Sequence, residues 1–528
     1  LRRSSAASDV YKRQLQDPLF LDKKFHCSKK NMHPSIKKTY HPFSPLFVSP
    51  LVLYFLFALW ADAEIKLPEV IGSNMVLQRD LPVPIWGWGE AGEKVTVSFA
   101  GQSKSAIVDQ QGNWIIRLEK LKANAYPSDL VVEGSNRIEL ENILVGEVWI
   151  CSGQSNMEWK VSQCANPEKE ITTANYPNIR LFDVPGHTVH RIPQRMGNGK
   201  WQVCSPESVA SFSAAGYYFG RRLHRETRVP IGLIGSNWGG TRIEPWTTLA
   251  GFRSIPELSN IANAVEDYNA DTPIKPFTPT AIYNSMVHPL TPLALRGAIW
   301  YQGESNAEDG AAYYRKKHAL VNGWRQAFQN PKLAFYWVQL CNFRTPGVTP
   351  GGGDGWAKIR EAQARALDLP DTGMAVIIEL ADVDNPDDIH PKNKQDVGAR
   401  LAQWALHQTY GKKELVPSGP LFADHQIKGE EIIVSFRHVG SGLMVGKKEG
   451  LSPTKEIKGG ILKHFSIAGE DKQWHWADAR IKGDRVVLSS LMVRKPVAAR
   501  YAYTMNPADA NLYNKEGLPA GPFRTDDW

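Results

Sequence analysis

An α/β fold, with a parallel sheet covered by helices and a β-rich region on either side, is what this 528-residue sequence predicts. Three observations lead there. Five short apolar runs between residues 147 and 380 alternate with amphipathic segments, and strands buried on both faces read as such unbroken runs. Residues 64–144 and 412–528 instead carry short β-rich runs broken by Gly, Pro and Asn. The chain is too long for one ordinary domain, so several compact units are expected.

Residues 1–31 contain no Met and no apolar periodicity and read as a non-native leader. From Met32 a basic stretch with Lys37 and Lys38 precedes the apolar run Leu46 to Trp60 and then Ala61-Asp62-Ala63, a small-x-small cleavage pattern. Residues 32–63 therefore read as a signal peptide. The apolar run is about 15 residues, short of the roughly 20 that span a bilayer. A secreted or periplasmic protein starting near Glu64 is expected, with no stable membrane span after cleavage. An exported compartment permits disulfides. Cys164 and Cys204, in loop-rich sequence, are the expected pair; Cys151 ends an apolar strand and is expected as a buried thiol, and Cys341 is the fourth cysteine.

Composition narrows the class. Apolar residues at 42% and charged residues at 22% exclude a disordered or fibrous chain. The net charge of +8 is misleading: residues 1–63 hold ten Lys and Arg against four acids, which leaves only +2 for the remainder. No basic surface for nucleic acid is implied.

The elements follow in order. Residues 64–144, with runs at Lys94–Phe99, Trp114–Leu118 and Arg137–Leu140, predict an N-terminal β-sandwich. Residues 145–411 form the α/β core. Its strands are Glu147–Cys151, Ile231–Gly235, Gly297–Tyr301, Leu333–Leu340 and Met374–Leu380; its helices are Ser213–Arg225, Ala311–Phe328, Trp356–Leu367 and Pro391–Leu406. Residues 412–528 return to short strands, at Glu431–Phe436, Arg485–Ser489 and Ala498–Tyr503, and predict a second β-sandwich.

Functional residues of a parallel sheet collect at the carboxyl ends of its strands. Four polar motifs sit there. Cys151-Ser-Gly-Gln-Ser-Asn-Met157 places Ser155 where a helix can begin, so that free N–H groups and the helix dipole face its hydroxyl. Gly235-Ser-Asn-Trp-Gly-Gly-Thr-Arg242 offers two glycines, Gly239 and Gly240, whose N–H groups can approach a substrate closely. Trp300-Tyr-Gln-Gly-Glu-Ser-Asn306 brings Gln302, a candidate oxyanion donor, and Glu304; its Ser305 is a rival to Ser155. In Asp387-Asp-Ile-His-Pro-Lys-Asn-Lys394, Pro391 suits the first helical position, which would make His390 the cap. A neighbouring carboxylate there could hold one ring nitrogen while the other takes a serine proton.

These four motifs in this order resemble the SGNH/GDSL-like hydrolases and, within them, the sialate O-acetylesterase family. The likeness runs from about Ile65 to the Leu-Tyr-Asn-Lys-Glu-Gly-Leu-Pro-Ala-Gly-Pro-Phe-Arg-Thr-Asp ending. The resemblance implies a flavodoxin-like three-layer core, with Ser155 as nucleophile and His390 as base. It implies Asp387 or Asp388 as the acid, or a backbone carbonyl in its stead. Its oxyanion donors would come from Ser155, Gly239 or Gly240, and Gln302, where many SGNH relatives have Asn. Arg242, Glu304, Asn306 and Trp238 are candidate substrate contacts; Arg242 could pair with a sialate carboxylate or, structurally, with Glu244. The implied reaction is removal of acetyl groups from a carbohydrate through an acetyl-serine intermediate, without metal or other cofactor. O-acetylated sialic acid is the first expected substrate and acetylated xylan the second. From another class, the chain could be a non-catalytic carbohydrate-binding protein. His187 and His190 read as surface residues in a Pro- and Gly-containing stretch.

Overall fold

The computed structural model describes residues 64–195, 197–382 and 384–528. The leader and the signal peptide expected over 1–63 lie outside the described residues.

The organising element is one strand of 17 residues, Arg137–Gly153. Its first part alternates in burial and pairs antiparallel with Asn124–Glu133; from Ile143 onward every residue is buried. That second part lies between Ile231–Asn237 and Gly297–Tyr301, parallel to both. The expected boundary at 144/145 thus falls inside a strand. The apolar pattern changes there from one covered face to two, and Gly146 passes so close to Pro230 that a Cβ would lie 2.0 Å from its carbonyl oxygen.

The resulting mixed sheet has eleven strands. Its core order is Thr372–Val376, Ala334–Gln339, Gly297–Tyr301, Arg137–Gly153, Ile231–Asn237, Tyr176–Asp183, Trp201–Cys204, parallel except for the last. The strands at 176–183 and 201–204 were not expected, because Arg180 interrupts the apolar run and makes it read as a loop. Helices cover both faces. Trp149 packs edge-on against Phe219 of the helix Ala214–Thr227, centroids 5.0 Å apart. Trp300, which is in register with Ser152 and so points the other way, packs against Trp324 of Ala312–Ala327.

Beyond residue 412 the chain forms antiparallel sheets, the largest built from Leu421–Lys428, Glu431–Arg437, Arg485–Ser489 and Asp478–Lys482. They are fastened to the core by buried polar contacts: Arg360 donates to the carbonyls of Thr504 at 2.7 Å and Met505 at 3.0 Å, and Arg524 to Glu361 at 2.9 Å.

The expected Cys164–Cys204 disulfide is not formed. All four cysteines of the described residues are buried free thiols. Cys164 Sγ lies 2.9 Å from the Tyr218 hydroxyl, and Cys204 ends the edge strand opposite Tyr176. No helix among the described residues is long and apolar enough to cross a membrane.

Candidate active site

Three strands end level with one another: Gly153 is in register with Asn237 on one side and Tyr301 on the other. The loops that follow therefore leave the sheet side by side. Gly153 makes this closeness possible. Its φ is +140° and a Cβ would lie 2.1 Å from the Tyr301 carbonyl oxygen. Gln154 donates its N–H to Tyr301 at 3.0 Å and Trp238 donates to the Gly153 carbonyl at 3.0 Å, which binds the first loop to the other two.

Ser155 opens the helix Ser155–Glu158, a single turn. So short a helix has little of the expected dipole; what remains is the Ser155 N–H, which has no partner among the described residues. Ser155 is half-buried, and its Oγ lies 2.9 Å from His390 Nε2. His390 Nδ1 lies 3.1 Å from Asp388 Oδ1, and the same oxygen accepts the His390 N–H at 3.0 Å. Asp387 is exposed and does not reach the ring. His390 is not a helix cap as expected: the helix runs Lys394–Trp404, with Asn393 as the cap accepting from Asp396 N–H at 3.0 Å. The ring is fixed instead by Asp388 and by Trp159, which stacks on it at 4.5 Å and 16°. Trp159 had one sequence signal, its place four residues after Ser155 on the same side of a helical turn.

The polar neighbours of Ser155 staple the loops together. Gln154 Oε1 accepts from Ser305 N–H at 3.2 Å, which turns the rival serine into a prop for the first loop. Asn156 donates to Glu304 at 2.7 Å and to the Ile389 carbonyl at 3.0 Å, and its own oxygen accepts from the Lys394 ammonium. Lys394 is fully buried, and that burial brings it down to about 7. Burial also raises the Glu304 carboxyl, whose second oxygen is shielded from solvent and has no partner among the described residues. Glu304 is thus part of the foundation and not, as expected, a substrate contact. For His390, burial and the Lys394 charge outweigh Asp388 and hold the imidazole below its usual range, so it is neutral and able to accept a proton at neutral pH.

Other expected contacts are spent elsewhere. The Gln302 amide donates to Asn306 Oδ1 at 2.6 Å and to the Thr241 carbonyl at 3.2 Å, while its oxygen accepts from Tyr313 at 2.8 Å. Both its hydrogens are committed away from Ser155, so it is no oxyanion donor in this arrangement. Asn306 is fully buried as the hub of that network, bonded to Ile243 N–H, Glu244 and Asp309. Arg242 is neutralised by Asp309 at 2.7 Å and Glu244 at 3.2 Å, the structural pairing, and Lys316 joins the same acids.

Gly239 does approach Ser155: a Cβ built on it would lie 3.3 Å from Ser155 Cβ. Its N–H donates at 2.6 Å to Glu158 Oε2, a residue that sequence reading passed over. The other oxygen of Glu158 is 3.1 Å from His187 Nε2, and His187 stacks on Trp238 at 4.8 Å. His187 is exposed, as expected of a surface residue, and these contacts place it at the rim of the site. Gly240, at φ +73°, has open space around its Cβ position.

The family model described as carbohydrate esterase, sialic acid-specific acetylesterase matches residues 145–407. Human sialate O-acetylesterase is 29% identical over 527 residues, covering 91% of this chain and 96% of the relative; the Pongo abelii enzyme is 28% identical over 528 residues. The crystal structure of a carbohydrate acetylesterase from Xanthomonas citri superposes with a TM-score of 0.77 at 38% identity, over 88% of this chain and all of that one. With the four motifs assembled at one sheet edge, this chain belongs to the sialic acid-specific acetylesterase family of carbohydrate esterases and is a carboxylic ester hydrolase.

Proposed function

We propose that the protein is a serine esterase that removes O-acetyl groups from carbohydrate through a covalent acetyl-serine. The single observation that carries this is the relay in which His390 joins Ser155 Oγ at 2.9 Å to Asp388 at 3.1 Å. Ser155 attacks the acetyl carbonyl while His390 Nε2 takes its proton, and Asp388 holds the opposite nitrogen protonated. The N–H groups of Ser155 and Gly239 receive the charge that develops on the carbonyl oxygen. His390 returns the proton to the sugar oxygen as the C–O bond breaks. Water, activated by the same imidazole, then hydrolyses the acetyl-enzyme and releases acetate.

O-acetylated sialic acid is the first substrate in this reading, on the names of the relatives, and the sequence of residues 32–63 supports export. The locked Arg242 argues against a salt bridge from that residue to a sialate carboxylate, which gives acetylated xylan its standing as the alternative. The deciding experiment measures acetate release by residues 64–528 from 9-O-acetylated sialic acid and from acetylated xylan, with Ser155→Ala as control. Release that disappears in the variant supports the mechanism, and the better substrate names the class. Glycan binding without release from either would replace this reading with a binding protein.

A further inference from the structure

Glu158 occupies the place where the oxyanion would be received. It lies three residues after Ser155, so the one-turn helix puts both side chains on the same side. Its Oε2 accepts the Gly239 N–H at 2.6 Å, directly beside Ser155, while His187 meets its Oε1 at 3.1 Å. A carboxylate on that N–H and an acetyl oxygen turning into an oxyanion are mutually exclusive occupants. Each binding event must therefore move Glu158 off Gly239, and a displaced carboxylate has to find a new donor or remain a destabilised charge beside the nucleophile. The side chain is 32% exposed, so it has room to swing while keeping its contact with His187.

We propose that Glu158 is a specificity-determining residue that leaves Gly239 on substrate binding and accepts a hydrogen bond from a free hydroxyl next to the acetyl ester. The preferred substrate class is then the acetyl ester of a vicinal diol, as a partly acetylated sugar presents, rather than isolated acetyl esters. The donor arrives with the substrate, so the oxyanion site opens only when the correct alcohol is in place. This rests on the serine esterase reading above.

The test compares a monoacetylated vicinal diol with its O-methyl ether, and with 4-nitrophenyl acetate, in the wild type, Glu158→Ala and Glu158→Gln. Wild type is expected to favour the free diol roughly tenfold or more in kcat/KM, the scale on which one paired hydroxyl discriminates. In Glu158→Ala that preference falls to about one, because the acceptor is gone, while kcat/KM on 4-nitrophenyl acetate rises, because Gly239 is free. Acetate, an anion that competes with Glu158 for the same N–H, inhibits Glu158→Ala more strongly than wild type. A preference for the diol that survives in Glu158→Ala, or a parallel fall on all three esters, overturns the proposal. Ser155→Ala run beside them keeps the two readings apart: residual turnover there defeats the serine mechanism, whatever Glu158 does.

Discussion

At His390 the ring is gripped by Asp388 along one edge and by Trp159 across one face, and among the described residues no other acid bonds to it. Asp388→Asn removes the acceptor that keeps Nδ1 protonated and is expected to lower kcat by roughly a hundredfold to ten-thousandfold. Asp387→Asn should stay within about twofold of wild type, since an exposed side chain with no structural contact changes little. Equal losses in the two variants would remove Asp388 from the relay. The depressed His390 value sets the pH profile: the base is lost as pH falls through its folded-state value, so kcat/KM declines on an acid limb whose midpoint lies below that of free histidine. Lys394→Gln removes a charge that holds His390 down, so the limb should move to higher pH; a limb that stays or moves lower contradicts this electrostatic role. That Ser155 and His390 come together was legible in the sequence because both stand in strand-end motifs of one parallel sheet. Which of the two acids faces the ring, and where the Gln302 amide points, depend on rotamers and on partners such as Asn306 and Tyr313.

Among the elements, the Gly153 turn converts a strand into a nucleophile loop. An alanine there must push its Cβ into the Tyr301 carbonyl and hold a φ of +140°, so Gly153→Ala is expected to cost about 1–3 kcal/mol in denaturant unfolding. Because Ser155 is two residues away, the accompanying shift should lower kcat about a hundredfold. Full activity with full stability would mean that the turn is not under this constraint. Five parallel strands were readable as apolar runs, whereas Tyr176–Asp183 was hidden by Arg180, which is buried by capping the carbonyls of Pro177, Asn74 and Asn142. The helix begins three residues later than Pro391 suggests, capped by Asn393, whose side chain accepts from the Asp396 N–H and donates to the Asp396 carboxylate.

For the molecule as a whole, the β-rich C-terminal part is tied in by a buried ion pair near the chain end. Arg500 meets Asp526 at 2.6 and 2.8 Å, stacks over Trp474 at 4.1 Å and donates to the Gly351 carbonyl. Asp526→Ala leaves that guanidinium buried without its counter-charge and is expected to destabilise by about 3–5 kcal/mol, whereas Arg500→Met with Asp526→Leu should lose far less. Equal losses would show that packing and not charge pairing holds this end. The broad division into β, α/β and β was plain from the change in apolar rhythm; that the first two share one continuous strand was not, since alternating and unbroken runs are both strand patterns. The proposed chemistry turns on one oxygen atom, Ser155 Oγ. Rapid quenching of turnover on an acetyl ester, followed by peptide mass analysis, should find an acetyl group on Ser155 and none in Ser155→Ala, which should release no acetate. Acetylation at another residue, or wild-type acetate release by Ser155→Ala, would contradict it.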